Sequence, residues 1–152
     1  MAANTEILAR FIEECWNARS RTICDELLDA NYEHYMPGVE QPTVGPAAYQ
    51  QMVDTFVAGF PDVRFEVVEA FGEGSNVCLV WIARATHEGV FNGIPPTMRP
   101  VAIKGVAVAR IENGRITRIT SMFDNAGFAA QLSAPAEKPA EAWSRTARAA
   151  SQ

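Results

Sequence analysis

The sequence predicts an α+β fold: a cone-shaped α+β barrel in which a curved antiparallel sheet packs on N-terminal helices around a deep cavity. Three observations predict it. Helical periodicity fills the chain up to Phe60 and strand-like runs fill Val63 to Asp124, the segregated order of α+β domains. Two strand patterns, from Val77 and from Val101, are apolar on both faces through their middles, as interior strands are. After the second comes Glu112-Asn113-Gly114-Arg115, whose Asn-Gly pair suits a two-residue type I′ hairpin.

Taken in order, Asn4 is a good helix N-cap, and Ile7, Leu8, Phe11, Ile12, Cys15 and Trp16 follow at one-face helical spacing. Asn17-Ala18-Arg19-Ser20 closes that helix. A short second helix carries Ile23, Leu27 and Leu28 and ends near Asn31. Tyr32 to Gly38 reads as a short aromatic strand or turn halted by Pro37-Gly38, and Val39 to Thr43 as loop. Gly45-Pro46 opens a third helix, with Tyr49, Met52, Val53, Phe56, Val57 and Phe60 on its apolar stripe and Gly59 and Pro61 at its end.

The strands follow. Val63 to Phe71 is β-rich and turns at Gly72 to Ser75. The next strand puts Val77, Leu79, Trp81, Ala83, Ala85 and His87 on one face. After the elbow Gly93-Ile94-Pro95-Pro96, a strand from Val101 to Ile111 pairs through the hairpin with Ile116 to Asp124. One helical turn is expected over Ala126 to Leu132. The domain therefore spans residues 1–132. Residues 133–152, rich in Ala, Pro and charge with a lone Trp143, form a tail that is disordered or docked on the body or a partner.

Composition narrows the function. A net charge of −5 with singly scattered arginines argues against nucleic acid, which demands a clustered basic surface. Cys15, Cys24 and Cys78 have neither an even count nor ligand spacing, which points to buried thiols in a reducing, cytoplasmic compartment. No apolar run is long enough to span a bilayer, and the N-terminus does not read as a signal peptide. The two strands apolar on both faces predict a homodimer or higher homo-oligomer, since one face covers the helices and the other needs a partner.

An ordered set of motifs carries a resemblance. Gly45-Pro46-x-x-Tyr49, Gly59-Phe60-Pro61-Asp62-Val63-x-Phe65, and Thr86-His87-x-Gly89-x-Phe91-x-Gly93-Ile94-Pro95-Pro96-Thr97 come first. Arg110-x-x-x-Gly114-x-Ile116 and the terminal Phe123-Asp124 follow. Together they resemble the SnoaL-like polyketide cyclase family of the nuclear-transport-factor-2-like superfamily, from the first helix to about Leu132. The resemblance implies cofactor-free, metal-free ring closure of a polyketide or related carbonyl intermediate by an intramolecular aldol step. It places the acid/base carboxylate at the end of a late strand, where this chain has Asp124. Relatives in the superfamily also isomerise, dehydrate, open epoxides or only bind small molecules, so the fold does not fix the reaction. Three departures stand out: Gly74-Ser75-Asn76 in place of a Gly-Asp turn, Arg118 to Met122 where an acid and a Trp are frequent, and Thr97-Met98-Arg99 where Thr-Gly-Arg is common.

The candidate site follows from both lines. A carboxylate in an apolar pocket has its pKa raised by burial and exchanges protons in both directions. Asp124 shares simple alternation with Ile116, Arg118, Thr120 and Met122, which gives it an apolar neighbour in Met122. Asp is also a favoured N-cap, and the residues alone favour that role; the resemblance favours catalysis. His87 either donates to an enolate oxygen or orients Asp124, or else it satisfies the backbone of the Gly/Pro elbow. Trp16, Tyr32, His34, Tyr35, Met52, Phe56 and Trp81 are candidates to line a cavity for a small apolar or aromatic carbonyl substrate, with core packing the alternative for the helical ones. Two distant histidines without a nearby carboxylate argue against a metal site.

Overall fold

The computed structural model describes residues 3–133. The first helix, α1 (Asn4–Ile12), runs into a π-helical turn over Glu13–Asn17, and a short α2 (Ile23–Leu27) follows. Strand β1 (Leu28–Tyr35), the two-residue β2 (Thr43–Val44) and α3 (Pro46–Gly59) come next. The remainder is β3 (Arg64–Glu73), β4 (Asn76–Thr86), β5 (Pro100–Glu112), β6 (Arg115–Phe123) and α4 (Asn125–Ser133). None of the helices among the described residues is long and apolar enough to cross a membrane. The tail expected over 133–152 lies outside the described residues, Ser133 excepted as the last residue of α4.

The α+β architecture is the expected one, with helices laid on a curved sheet. The sheet is mixed and open, however, rather than purely antiparallel. Its order is β2-β1-β6-β5-β4-β3, and β1 runs parallel to β6. β1 is also longer than the short segment expected, because Leu28, assigned to the second helix from its spacing, instead opens the strand opposite Ile116.

The helices form for the anticipated reasons. Leu8, Phe11, Ile12, Cys15 and Trp16 are buried on one side of α1 and its π turn. Asn4 does not cap α1: Ala3 holds the N-cap position, and the Asn4 side chain instead donates to the Gly74 carbonyl oxygen at 3.0 Å. At the other end Asn17 behaves like a strand residue. Its Nδ2 donates to the Phe65 carbonyl at 2.8 Å, while its Oδ1 accepts the Phe65 N–H at 2.7 Å. That side-chain amide occupies the backbone groups of the edge strand β3 and fixes where α1 meets the sheet.

In the sheet, β4 and β5 pair without interruption from Asn76↔Arg110 to Thr86↔Pro100. The β5–β6 hairpin turns at Asn113 and Gly114, with φ of 52° and 76°, the left-handed pair a type I′ turn requires. Trp81 lies opposite Gly105, and a Cβ there would fall 2.2 Å from the indole. Only glycine lets the ring lie flat over β5. The elbow after β4 carries the family departure at Met98, which sits at φ 58°, a conformation glycine adopts freely and methionine rarely does.

Candidate functional site

Between the helices and the inner face of the sheet lies a cavity of about 710 Å³. Its helical walls are Ile12 of α1 with Trp16 of the π turn, the stripe Tyr49, Met52 and Phe56 of α3, and Phe128 and Leu132 of α4. The sheet supplies a floor of small residues, Ala83 and Ala107, flanked by the larger Phe65, Trp81, Ile103, Ile119 and Phe123. Pro37, Val39, Asn92, Ile94 and Asn125 also line it, and Val39 and Ile94 are solvent-exposed, which puts the mouth between the β1–β2 loop and the elbow. No Asp, Glu, Lys or Arg is among the described residues that line it.

His34 is the titratable group that stands out on this wall. It is 4% exposed, and its Nδ1 lies 2.8 Å from the hydroxyl of Tyr32, which is fully buried. That phenol has no other partner among the described residues. Nδ1 is the acceptor within reach of that buried hydroxyl, and the tautomer that meets its proton has Tyr32 donating to Nδ1. Burial pushes the Tyr32 pKa well above its ordinary value, which keeps the proton in place. Burial likewise lowers the His34 pKa to about 4, so the imidazole is neutral at pH 7 and carries its remaining proton on Nε2. His34 therefore offers a ligand a neutral N–H donor. The ring is held edge-on to Tyr49 at 5.2 Å between centroids, and Tyr49 accepts the Trp16 indole N–H at 3.1 Å. The aromatic wall is thus hydrogen-bonded together as well as packed.

The structure gathers Trp16, His34, Met52, Phe56 and Trp81 around the cavity, with Tyr32 directly behind His34. Tyr32, also expected to contact the substrate, is fully buried and does not line the cavity, and four further expected site residues are not brought to it. Tyr35 lies on the opposite face of β1 and donates its hydroxyl to Glu33 at 2.8 Å. Met122 is 59% exposed on the outer face of β6. Asp124 is exposed and caps α4, its Oδ1 accepting the Gly127 N–H at 2.8 Å and its backbone carbonyl the Phe128 N–H at 3.0 Å. A Cβ on residue 127 would sit 2.0 Å from Oδ2, so Gly127 is part of the same cap. The placement of Asp124 and Met122 in the pocket is therefore corrected. A register irregularity between Arg110 and Ile111 breaks the alternation of β6, so Ile116 and then Ile119, Ser121 and Phe123 face inward.

His87, the fourth, is fully buried but does not line the cavity. Its Nδ1 lies 2.9 Å from the Thr97 hydroxyl and accepts the Thr97 backbone N–H at 3.3 Å. The His87 backbone bonds Arg99 and Met98 across the elbow. Its ring stacks on Phe60, which stacks on the cavity-lining Phe56 at 4.7 Å, so one aromatic layer separates it from the ligand space. Satisfying the elbow, the alternative weighed from the sequence, is what this geometry supports.

Sequence reasoning missed Ser121. It is 9% exposed and lines the cavity, and its hydroxyl has no hydrogen-bond partner among the described residues. A Ser two residues from a Phe at a strand end is a weak signal, and the assumed alternation had turned it outward.

No group of three or more His, Cys, Asp or Glu able to hold a metal gathers among the described residues. Comparison with known proteins adds the family. The sequence profile of the SnoaL-like polyketide cyclases matches residues 6–132. No curated protein matches the chain. A SnoaL-like candidate polyketide cyclase from Jannaschia sp. CCS1 superposes with a TM-score of 0.79 at 20% identity, covering 89% of this chain and 98% of that one. IdmH, a candidate polyketide cyclase from Streptomyces antibioticus, gives 0.74 at 26% identity over 85% and 97%. A candidate cyclase from Acidithiobacillus ferrooxidans gives 0.74 at 26% over 88% and 98%.

Proposed function

The chain belongs to the SnoaL-like polyketide cyclase family, and from that premise we propose that it closes a ring in a largely apolar, carbonyl-bearing polyketide-type molecule, with His34 polarising the carbonyl. The observation that carries this is the neutral His34 donor in an otherwise apolar cavity. In an aldol-type closure an enol carbon bonds to a carbonyl carbon, and the carbonyl oxygen gains negative charge. A fixed N–H that meets that oxygen in a largely apolar site stabilises the transition state more than the ground state. The enol brings its own nucleophilic carbon, and its hydroxyl proton ends on the new alkoxide. The net reaction is an isomerisation and calls for no carboxylate in the cavity wall. Cofactor independence and a cytoplasmic location belong to the same proposal.

A second reading, a module that binds such a molecule without transforming it, is favoured by the absence of any charged side chain among the described lining residues. Epoxide opening fits less well, since it asks for a carboxylate to activate water.

The test uses 1-tetralone, a flat aromatic ketone. Its binding is followed by quenching of Trp16 and Trp81 fluorescence, and the infrared carbonyl frequency of the bound probe is compared with that in hexane. The frequency is expected to fall on binding and to recover in His34→Phe. Binding without a shift supports the binding module, and no binding overturns both readings. A second copy of the chain is proposed to cover the outer sheet face, where Val108 and Met122 are 46% and 59% exposed. A monomer by sedimentation at micromolar concentration would contradict that.

A further inference from the structure

We propose that Ser121 is a specificity-determining residue: with His34 it forms a two-point polar seam that selects ligands bearing two oxygens along one edge of a rigid ring system. The inference rests on the His34 donor described above and adds to it a residue with no assigned role.

The backbone fixes the pair. β1 and β6 run parallel with His34 opposite Ile119, and both line the cavity. Ser121 lies two residues further along β6, on the same face. Two residues of strand and one inter-strand step separate the His34 and Ser121 backbones by about 8 Å. Both side chains line the cavity, so a ligand about one ring wide can meet the two of them. The remaining inner residues of these strands, Ile119 and Phe123, offer nothing polar.

The state of the hydroxyl supports a ligand role. Across the β5–β6 pairing Ser121 meets Ala107, which has no group to bond it. The hydroxyl makes no protein hydrogen bond among the described residues and opens on the cavity, so it is met by whatever fills that space, ligand or water. The chemistry of the two ends differs. His34 donates through Nε2–H, so it takes an oxygen that accepts, carbonyl or hydroxyl, whereas Ser121 both donates and accepts. The other polar lining groups belong to other walls. Tyr49 stands on α3 and accepts from Trp16, Thr55 donates to the Gln51 carbonyl, and Asn92 and Asn125 are exposed residues of the elbow and of α4. The ligand therefore turns its oxygenated edge to the β1–β6 seam and its hydrocarbon body to the aromatic wall.

The experiment compares 4-hydroxy-1-tetralone with 1-tetralone in the full chain and in Ser121→Ala. The ratio of their dissociation constants is expected to move by about tenfold against the hydroxyketone in Ser121→Ala, the usual scale for losing a buried hydrogen bond. Affinity for 1-tetralone and its carbonyl shift are expected to stay within twofold of the wild type. Ser121→Thr, which restores the hydroxyl, should restore the preference. If 1-tetralone binds with a lowered carbonyl frequency but Ser121→Ala leaves the ratio unchanged, the seam is overturned and the proposed function stands. If 1-tetralone fails to bind, both fall.

Discussion

The two faces of the β1–β6 seam both carry polar side chains and have entirely different uses for them. Inward, His34 and Ser121 lie among apolar and aromatic groups, one held neutral and the other unbonded to protein. Outward, Tyr35 bonds Glu33, and Asp124, just past the end of β6, caps a helix. Polar side chains are tools on one face and fasteners on the other. What separates them is whether water or protein already satisfies them, and a one-residue change of register exchanges the two sets.

The comparison is most sharply tested at His34. His34→Leu is expected to lower turnover of the chain's own substrate by about 10²–10³-fold, the cost of one donor at a developing oxyanion, with binding of apolar probes retained. A change of less than threefold would remove His34 from the chemistry. Next in size is a pH effect. The folded pKa of His34, about 4, lies below the ordinary 6.5, so the unfolded chain takes up the extra proton between those values. This contribution to stability is full above about pH 6.5, declines as pH falls to 4, and amounts to about 3 kcal/mol. Urea unfolding of wild type and His34→Gln across this range should show the slope in the first and a shallower one in the second.

Outer-face changes should be smaller. Asp124→Ala is expected to cost about 1 kcal/mol as a lost cap, with turnover within threefold of wild type. A loss of a hundredfold or more in turnover with unchanged probe binding would return Asp124 to the catalytic role the family resemblance gave it. Smallest is Met122→Lys, which is expected to leave probe affinity unchanged while shifting the sedimentation profile toward monomer. Parallel loss of binding would show that the two faces are not independent.

Much of this was legible in the sequence, and the gaps have local causes. The α1 and α3 stripes and the inward face of β4 follow from periodicity alone, and each contributes cavity residues as expected. Tyr32, His34 and Tyr35 were legible together as candidates, and it took the strand pairing of β1 to put Tyr35 on the other face. The inward set of β6 was hidden because alternation counted from Ile116 fails at the irregularity beside Arg110, and nothing in the composition of Arg118 to Met122 marks that slip. The sequence Asp124-Asn125-Ala126-Gly127 did contain a cap signal, in the glycine three residues on. β1 was underestimated because its partner is the last strand, and local propensity says nothing about a distant one.

That pairing bears on the order in which the molecule comes together. Leu28 meets Ile116 and Tyr35 meets Thr120, so the seam holding His34 and Ser121 joins early and late parts of the chain. The β3–β4 and β5–β6 hairpins close through tight turns and β4–β5 through the elbow, all between sequence neighbours, whereas β1 must wait for β6 before its inner edge has a neighbour. During synthesis the ligand pocket is therefore the last feature the chain can complete, and the enclosed polar edge exists only once the rest of the sheet is in place.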